Sequence, residues 1–330
     1  MNGRRDELMA LAPERRERCR STRYRGDEVA VPLAVFDPGD RESIVDLYAL
    51  LKALGAVVAT EAARLGPQPL LAFVAEHRLD EMVARVRTLG RKSHDLLRAG
   101  IIHDIRGGAF NALVLQISRV GPRSFRRAWV TSIAFLARDH LKMMRGLVAD
   151  LDPAARARDL EMIPHRLTTL VEALREFPAQ VGGRQLDVDV DVDVDVDGPL
   201  DPTIAESCVE CGAIDRIAYN LINNAVRHAE PPSVSVSFLR AGDDLRVVVQ
   251  NRVSSADRVA LEATLSADPA ALFGSFSTTG SGHGLQIVTY LVGSAYGVPD
   301  TGELLRDGYV GAQLRGDLFS TWFHWPLAGA

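Results

Sequence analysis

The residues able to do chemistry gather in three stretches. In 271–288, ALFGSFSTTGSGHGLQIV, Gly280, Gly282 and Gly284 alternate with Ser281 and His283, and an apolar run begins at Leu285. A glycine loop leading into a helix N-terminus binds phosphate. Glycine lets the backbone approach an anion, and the first-turn N–H groups and helix dipole hold it. In 219–228, YNLINNAVRH, Asn220 and Asn224 stand four apart in a helical pattern whose apolar partners are Ile217, Leu221 and Ile222. Both amides therefore project from one face, one turn apart. Two stacked amides suit a hydrated Mg²⁺ beside a polyphosphate, because magnesium takes oxygen ligands and keeps much of its water. In the third stretch, IIHDIRGGAFNAL, His103 is followed by Asp104, with Arg106 three residues on and Asn111 near the end. At about 100° per residue, Ile101 and Ile105 fall on the opposite side of the helix, leaving His103 at the margin or exposed. An adjacent carboxylate accepts a ring N–H, fixes the tautomer and makes the other nitrogen a better nucleophile. Each stretch alone also has a plain reading, as a loop before a helix or a packed surface histidine.

Periodicity shows which elements must position these residues. Over 40–64, Ile44, Leu47, Leu50, Leu51, Leu54 and Val57 recur at three and four, predicting a helix with Asp40, Glu42 and Ser43 in an acidic, capped first turn. Strand is expected around 29–36. The pattern over 70–120 is helical, interrupted at Gly90, Gly100 and Gly107-Gly108, and a second helix over 123–150 follows the turn at Gly121-Pro122. Two long helices so joined make a hairpin, which buries too little alone and pairs economically with a second copy. Residues 153–178 read as a linker and helix. The tract 186–197 alternates Val and Asp, the period of a half-buried edge strand. Helix is expected over 211–229, antiparallel strands over 233–239 and 245–250 around the turn at 241–244, a lid over 253–272, and a closing strand at FSTWFHWPL with Phe319, Trp322 and Trp325 partly core.

Composition narrows the class. The chain has 330 residues, 47% hydrophobic and 25% charged, with no apolar run near the roughly 20 residues of a membrane helix. A cytoplasmic protein without a membrane span is expected, and a net charge of -5 gives no reason to expect nucleic acid. The arginine-bearing start lacks an apolar core of signal-peptide length. Cys208 and Cys211 form a single CVEC with no second pair or nearby histidine, so they read as ordinary helix residues. His94, His140 and His165 read as surface or packing residues.

Together the stretches resemble the two-component sensor histidine kinases. NLINNAVRH is similar to that family's asparagine box, GSGHGLQIV to its second glycine box, and Phe273, Phe276, Ser277, Thr278 and Thr279 stand at its phenylalanine box. IIHDIRGGAFNAL looks like its phosphoacceptor box. The resemblance implies an α+β chain: a mostly helical region over 1–77, a hairpin over 78–150 forming a dimeric four-helix bundle, and an ATP-binding α/β sandwich over 154–330. It implies ATP and Mg²⁺ as cofactors, a homodimer, and a response-regulator receiver domain as partner. By position, His103 would accept phosphate with Asp104 as base or orienter. Asn220 and Asn224 would serve Mg²⁺ and the phosphates. Arg227, His228, Thr279, Gly280, Ser281, Gly282, His283, Gly284 and Leu285 would contact nucleotide. Asn251 stands where the family's Asp-x-Gly-x-Gly box begins, but NRVSS carries no glycine. The proline that usually follows the histidine is also missing, so a kink there falls to the glycines. Gly107 occupies the place of a water-orienting Thr or Asn. Two rivals share the pattern: a scaffold with a degenerate ATPase domain, and an anti-sigma-type serine/threonine kinase.

Overall fold

The computed structural model describes residues 2–11, 21, 24, 30–90, 96–121, 125, 127–175, 180–181, 184–185, 189–195, 201–273 and 284–328. They fall into two compact units, Val29–Glu161 and a second made of Met1–Glu28 with Met162–Ala330. Their bounds fall at 28 and 161, where the resemblance implies divisions at 77 and 150. Helix α1 (Asn2–Leu11) belongs to the second unit.

The first unit is helical. It comprises α2 (Pro38–Val58), α3 (Glu61–Leu65), α4 (Gln68–Glu76), α5 (Leu79–Thr88), α6 (Leu96–Arg106), α7 (Gly108–Arg119), α8 (Arg127–Leu147) and α9 (Pro153–Asp159). Ile44, Leu47, Leu51 and Leu54 are buried as the apolar stripe of α2, which packs against α8. That contact unites the region before residue 77 with the hairpin. The single helix expected over 40–64 is two, because the Thr60 side chain accepts the Ala63 N–H at 3.3 Å and starts α3 afresh. The first turn of α2 is also different: Asp37 stands at its N-cap without a side-chain hydrogen bond, and Pro38 occupies the first helical position. The strand expected over 29–36 reduces to one bridge, Val31 to Val148, and a 3₁₀ turn at Leu33–Val35. Pro32 has no N–H to continue a ladder. Within 70–120 the helix does not break at Gly100 but does at Arg78, whose φ of 47° is left-handed. The break at Gly107 separates α6 from α7.

The second unit carries β1 (Met162–Arg166), α10 (Leu167–Arg175), β2 (Gln180–Val181), β3 (Arg184–Gln185), β4 (Asp189–Asp195), β5 (Thr203–Ser207) and α11 (Cys208–His228). It continues with β6 (Ala229–Ala241), β7 (Asp244–Val253), α12 (Ser255–Ala267), α13 (Pro269–Phe273), α14 (Gly284–Tyr296), α15 (Thr301–Arg306), β8 (Val310–Arg315) and β9 (Leu318–Pro326). The main sheet has the order β4-β6-β7-β9-β8. The Val-Asp tract is its edge strand, parallel to β6, with Val190, Val192 and Val194 in register with Val234, Val236 and Phe238. Helix α11 packs on β6 and β7, and α14 on α11 and β9. Val234, Val236, Phe238, Val247 and Val249 are buried in register with one another. Elsewhere on the sheet Leu239, Val248 and Trp322 form a buried cluster with Leu8, against which Met9 packs. Tyr24 meets Trp325 edge-on at 5.7 Å, and the Ser21 N–H donates to the Ala295 carbonyl at 2.9 Å. These contacts make the first residues part of a unit whose remainder begins at Met162.

Strand β8 needs a glycine opposite Trp322. Gly311 is its register partner, and a Cβ there would lie 2.1 Å from the indole Cζ2. Replacing Gly311 with valine should therefore destabilise the sheet unit by about 1–3 kcal/mol through overpacking, read as faster hydrogen exchange across β8 and β9 in the full chain.

Candidate functional site

Helix α11 begins with a reciprocal cap. The Ser207 hydroxyl accepts the Glu210 N–H at 3.2 Å, and the Glu210 carboxylate accepts the Glu206 N–H at 2.7 Å. Cys208 and Cys211 are half-buried thiols in this first turn. Two turns on, Ile214, Ile217, Ala218, Leu221 and Ile222 are buried. Asn220 lies at the edge of that stripe, 9% exposed, and its Nδ2 donates to the Arg216 carbonyl at 2.8 Å. This back-bond uses the amide nitrogen rather than the oxygen. Asn224, one turn on, is half-buried.

The C-terminus of α11 meets the segment expected as a lid. That segment is helical, α12 then α13, and α12 has no buried residue. Ser254 caps it by accepting the Asp257 N–H at 3.1 Å. The Asp257 carboxylate in turn lies 3.5 Å from His228 Nδ1, while Arg227 is exposed. Asp257 has no local sequence signature that singles it out. Asn251 follows Val247 and Val249 on β7, opposite Val234, 3% exposed, with Nδ2 donating to the Arg252 carbonyl at 3.2 Å. Helix α11, which carries Asn220 and Asn224, packs on β7, which carries Asn251, and on α14, which begins with Gly284 and Leu285. Phe273 is buried at the end of α13. The expected contacts Phe276, Ser277, Thr278, Thr279, Gly280, Ser281, Gly282 and His283 lie outside the described residues.

The donor set fits Mg²⁺ held with a polyphosphate. Amide oxygens one turn apart supply hard neutral ligands and leave the ion its waters. Among the described residues no group of three or more His, Cys, Asp or Glu is arranged to hold a metal by itself.

The second set of reactive residues lies in the helical unit. Ile101 and Ile105 are buried, and His103 is half-buried, with Nδ1 3.3 Å from the Asp104 carboxylate. Asp104 is 9% exposed. The helix stops one turn later: the Gly107 N–H donates to the His103 carbonyl at 2.8 Å, and a Cβ on Gly107 would come within 2.8 Å of that oxygen. A close backbone approach therefore requires glycine at this break. His140 of α8, expected as a surface or packing residue, is fully buried and lies 5.6 Å from the Phe110 ring. Burial lowers its pKa to about 4, against opposing contributions from Asp104 and the Ile105 carbonyl. Beside it, burial raises Asp139 to about 6, opposed by Arg138 and Lys142.

Residues 212–310 match the family of histidine kinase-, DNA gyrase B- and HSP90-like ATPases. The match supports the resemblance of this segment to an ATPase domain of that type. No protein of curated function matches the chain. Among solved structures it is similar to full-length ShkA in complex with AMPPNP, at 21% identity and a TM-score of 0.36, covering 71% of this chain and 46% of ShkA. It is also similar to a histidine kinase from Burkholderia phymatum, at 15% identity, a TM-score of 0.34 and coverage of 72% and 100%. A third likeness is to histidine kinase ThkA in complex with response regulator TrrA, at 14% identity, a TM-score of 0.28 and coverage of 69% and 60%. The chain thus spans about half the length of ShkA.

The two perturbed groups of α8 act on stability in opposite directions. Between about pH 6.5 and about 4, the unfolded chain binds a proton on His140 that the folded chain excludes, so acidification costs stability. Asp139 works the other way between about pH 4 and about 6, where the folded carboxyl keeps a proton. A comparison with His140→Leu isolates the histidine. Wild type should lose about 1–2 kcal/mol relative to the variant between pH 7 and pH 5, measured by hydrogen exchange of α8 amides.

Proposed function

We propose that the protein is an ATP-dependent protein histidine kinase that phosphorylates itself on His103 and passes the phosphoryl group to an aspartate of a response-regulator receiver domain. The observation that carries this reading is the combination, in one chain, of an asparagine helix in an ATPase domain with an imidazole whose Nδ1 faces a buried carboxylate. We read the protein as a cytoplasmic homodimer, its hairpin paired with a second copy. Among the described residues, no helix is long and apolar enough to cross a membrane.

In this reading Asp104 accepts the Nδ1–H, so that Nε2 carries the lone pair. Nε2 attacks the γ-phosphorus as the bond to the β–γ bridging oxygen breaks, and ADP leaves with that electron pair. The positive charge on the ring is held by Asp104, which accepts or shares its proton. Asn220 and Asn224 would hold Mg²⁺ through their oxygens, and the bound ion neutralises phosphate charge. Asn251 accepts the adenine amino proton, a neutral acceptor where the family uses a carboxylate. His228 and Asp257 link the asparagine helix to α12, so nucleotide contacts and lid position are coupled. Thr279, Gly280, Ser281, Gly282 and His283 lead the phosphates to the start of α14.

The test is incubation of the full chain with γ-labelled Mg-ATP beside His103→Ala. Acid-labile, alkali-stable label should appear on wild type and fall at least about 100-fold in the variant, since a missing nucleophile leaves no route. Acid-stable label, or label unchanged in His103→Ala, defeats the proposal. Asn224→Ala should weaken Mg-ATP binding by about 10-fold or more.

A second reading, a scaffold that no longer binds nucleotide, is favoured by the neutral Asn251 and the absence of glycines after it. Asn251→Asp should tighten Mg-ATP binding about 3- to 10-fold by restoring a charged acceptor. No measurable Mg-ATP binding in either protein would place the scaffold reading first.

A further inference from the structure

Helix α1 packs on a sheet whose strands lie more than two hundred residues along the chain, and its position bears on the nucleotide site. A helix of 10 residues is marginal in water by itself, so tertiary packing has to hold it. That packing centres on Leu8, buried among Leu239 of β6, Val248 of β7 and Trp322 of β9. Met9 lies against the same cluster, and the buried Arg246 donates from Nη1 to its sulfur at 3.2 Å. A thioether is a weak acceptor, so Leu8 is the main anchor.

These contacts grip β7 from one face while Asn251 belongs to the other. Arg246, Val248, Gln250 and Arg252 alternate along the strand with Val247, Val249 and Asn251. The strand end has need of such a grip. The pairing of β6 with β7 shifts register between Ala229 opposite Val253 and Val234 opposite Asn251, so the ladder is interrupted on that side where Asn251 stands. On the other side β9 continues past it, and the Asp317 carboxylate accepts from Arg252 at 2.6 and 2.8 Å. Helix α1 also borders this end. Its Glu7 and Leu8 share a cavity of about 410 Å³ with Gln250, Asn251, Arg252 and Leu318. The end of β7 thus adjoins a space walled by α1 rather than a packed core.

We infer that Leu8 is a positioning residue for the nucleotide site: by docking α1 on β7 it holds the strand end in the pleat that presents Asn251 to adenine. Leu8 itself touches neither nucleotide nor metal. The inference rests on the reading of Asn251 as adenine acceptor. Coupling between two binding events is reciprocal, so a docked α1 that favours nucleotide is itself favoured by nucleotide, and by the same factor. The first residues of the chain thereby act on the site without lining it, through the strand between them.

The test is a double-mutant cycle in Mg-ATP affinity, with the full chain. Leu8→Gly removes the anchor and weakens the helix without adding a charge beside Arg246. It should weaken Mg-ATP binding about 5- to 10-fold in the wild-type background, and less than about 2-fold in Asn251→Ala, which has no adenine acceptor to position. In wild type, saturating Mg-ATP should slow hydrogen exchange of the Leu8, Met9 and Ala10 amides by the same factor. Unchanged affinity in Leu8→Gly overturns the inference. So does an equal loss in both backgrounds, which is a general effect on the unit rather than one through Asn251. The exchange measurement needs no variant. If Leu8→Gly does not fold, or Asn251→Ala binds too weakly to titrate, α1 amides slowed by Mg-ATP support the inference and unmoved amides overturn it. Wild type that binds no Mg-ATP defeats the nucleotide-site reading, and this inference with it. Wild type that binds Mg-ATP while α1 is unmoved defeats the inference alone.

Discussion

The apolar stripe of α11 has one place to go, the face of the sheet where Val234, Val236, Phe238, Val247 and Val249 are buried, and the site follows from that burial. Period two along β7 puts Asn251 in line with Val247 and Val249, while period 3.6 along α11 puts Asn220 and Asn224 at the edge of Ile217 and Leu221. Two different periodicities thus put three amides on elements that pack together. The central pairing of β7 with both β6 and β9 secures this, because a slip of one residue would turn Asn251 to the other face. Neutral amides suit such a place. They tolerate burial when hydrogen-bonded, as Asn220 is to Arg216 and Asn251 to Arg252, and still offer oxygens to a cation or an adenine.

The helical unit places its chemistry at a discontinuity. A straight helix through residue 107 would satisfy its own carbonyls. At the break stands a glycine, where a Cβ would lie 2.8 Å from the His103 carbonyl oxygen, closer than a side chain permits. Asp104, three residues before it, and His140 of α8 are both buried and polar. The interior of this hairpin is therefore not a uniform apolar seam. Ile101, Ile105, Phe110, Ile133 and Leu136 are buried in it, and the Phe110 ring lies 5.6 Å from that of His140.

A good part of this is visible along the chain. The asparagine helix, the antiparallel strands after it, the Val-Asp edge strand and the glycine break after His103 each follow from spacing over a few residues. Their α+β class and their likeness to histidine kinases follow as well. Other features were not legible for stated reasons. Strand β1 is short, with Met162 and Ile163 exposed, so no alternation marks it. Strand β8 carries a glycine whose side-chain space is filled by Trp322 from another strand. The helix of 40–64 divides because one threonine hydroxyl finds an N–H, a contest between cap and continuation that propensity does not decide.

By itself the sequence determined which residue types stand at which local spacing: amides four apart, a histidine beside an aspartate, glycines where backbone must bend. These are short-range matters, governed by backbone geometry and side-chain direction. Only the tertiary structure decided what lies across from them. It set Leu8 against Trp322 and Val248, joining the first residues to a sheet that begins far along the chain. It set Asp257 against His228, and the buried His140 against the Phe110 ring. The physical reason is the same in each case. A side chain's partner across an interface depends on which faces bury together, and that is settled by the packing of whole elements.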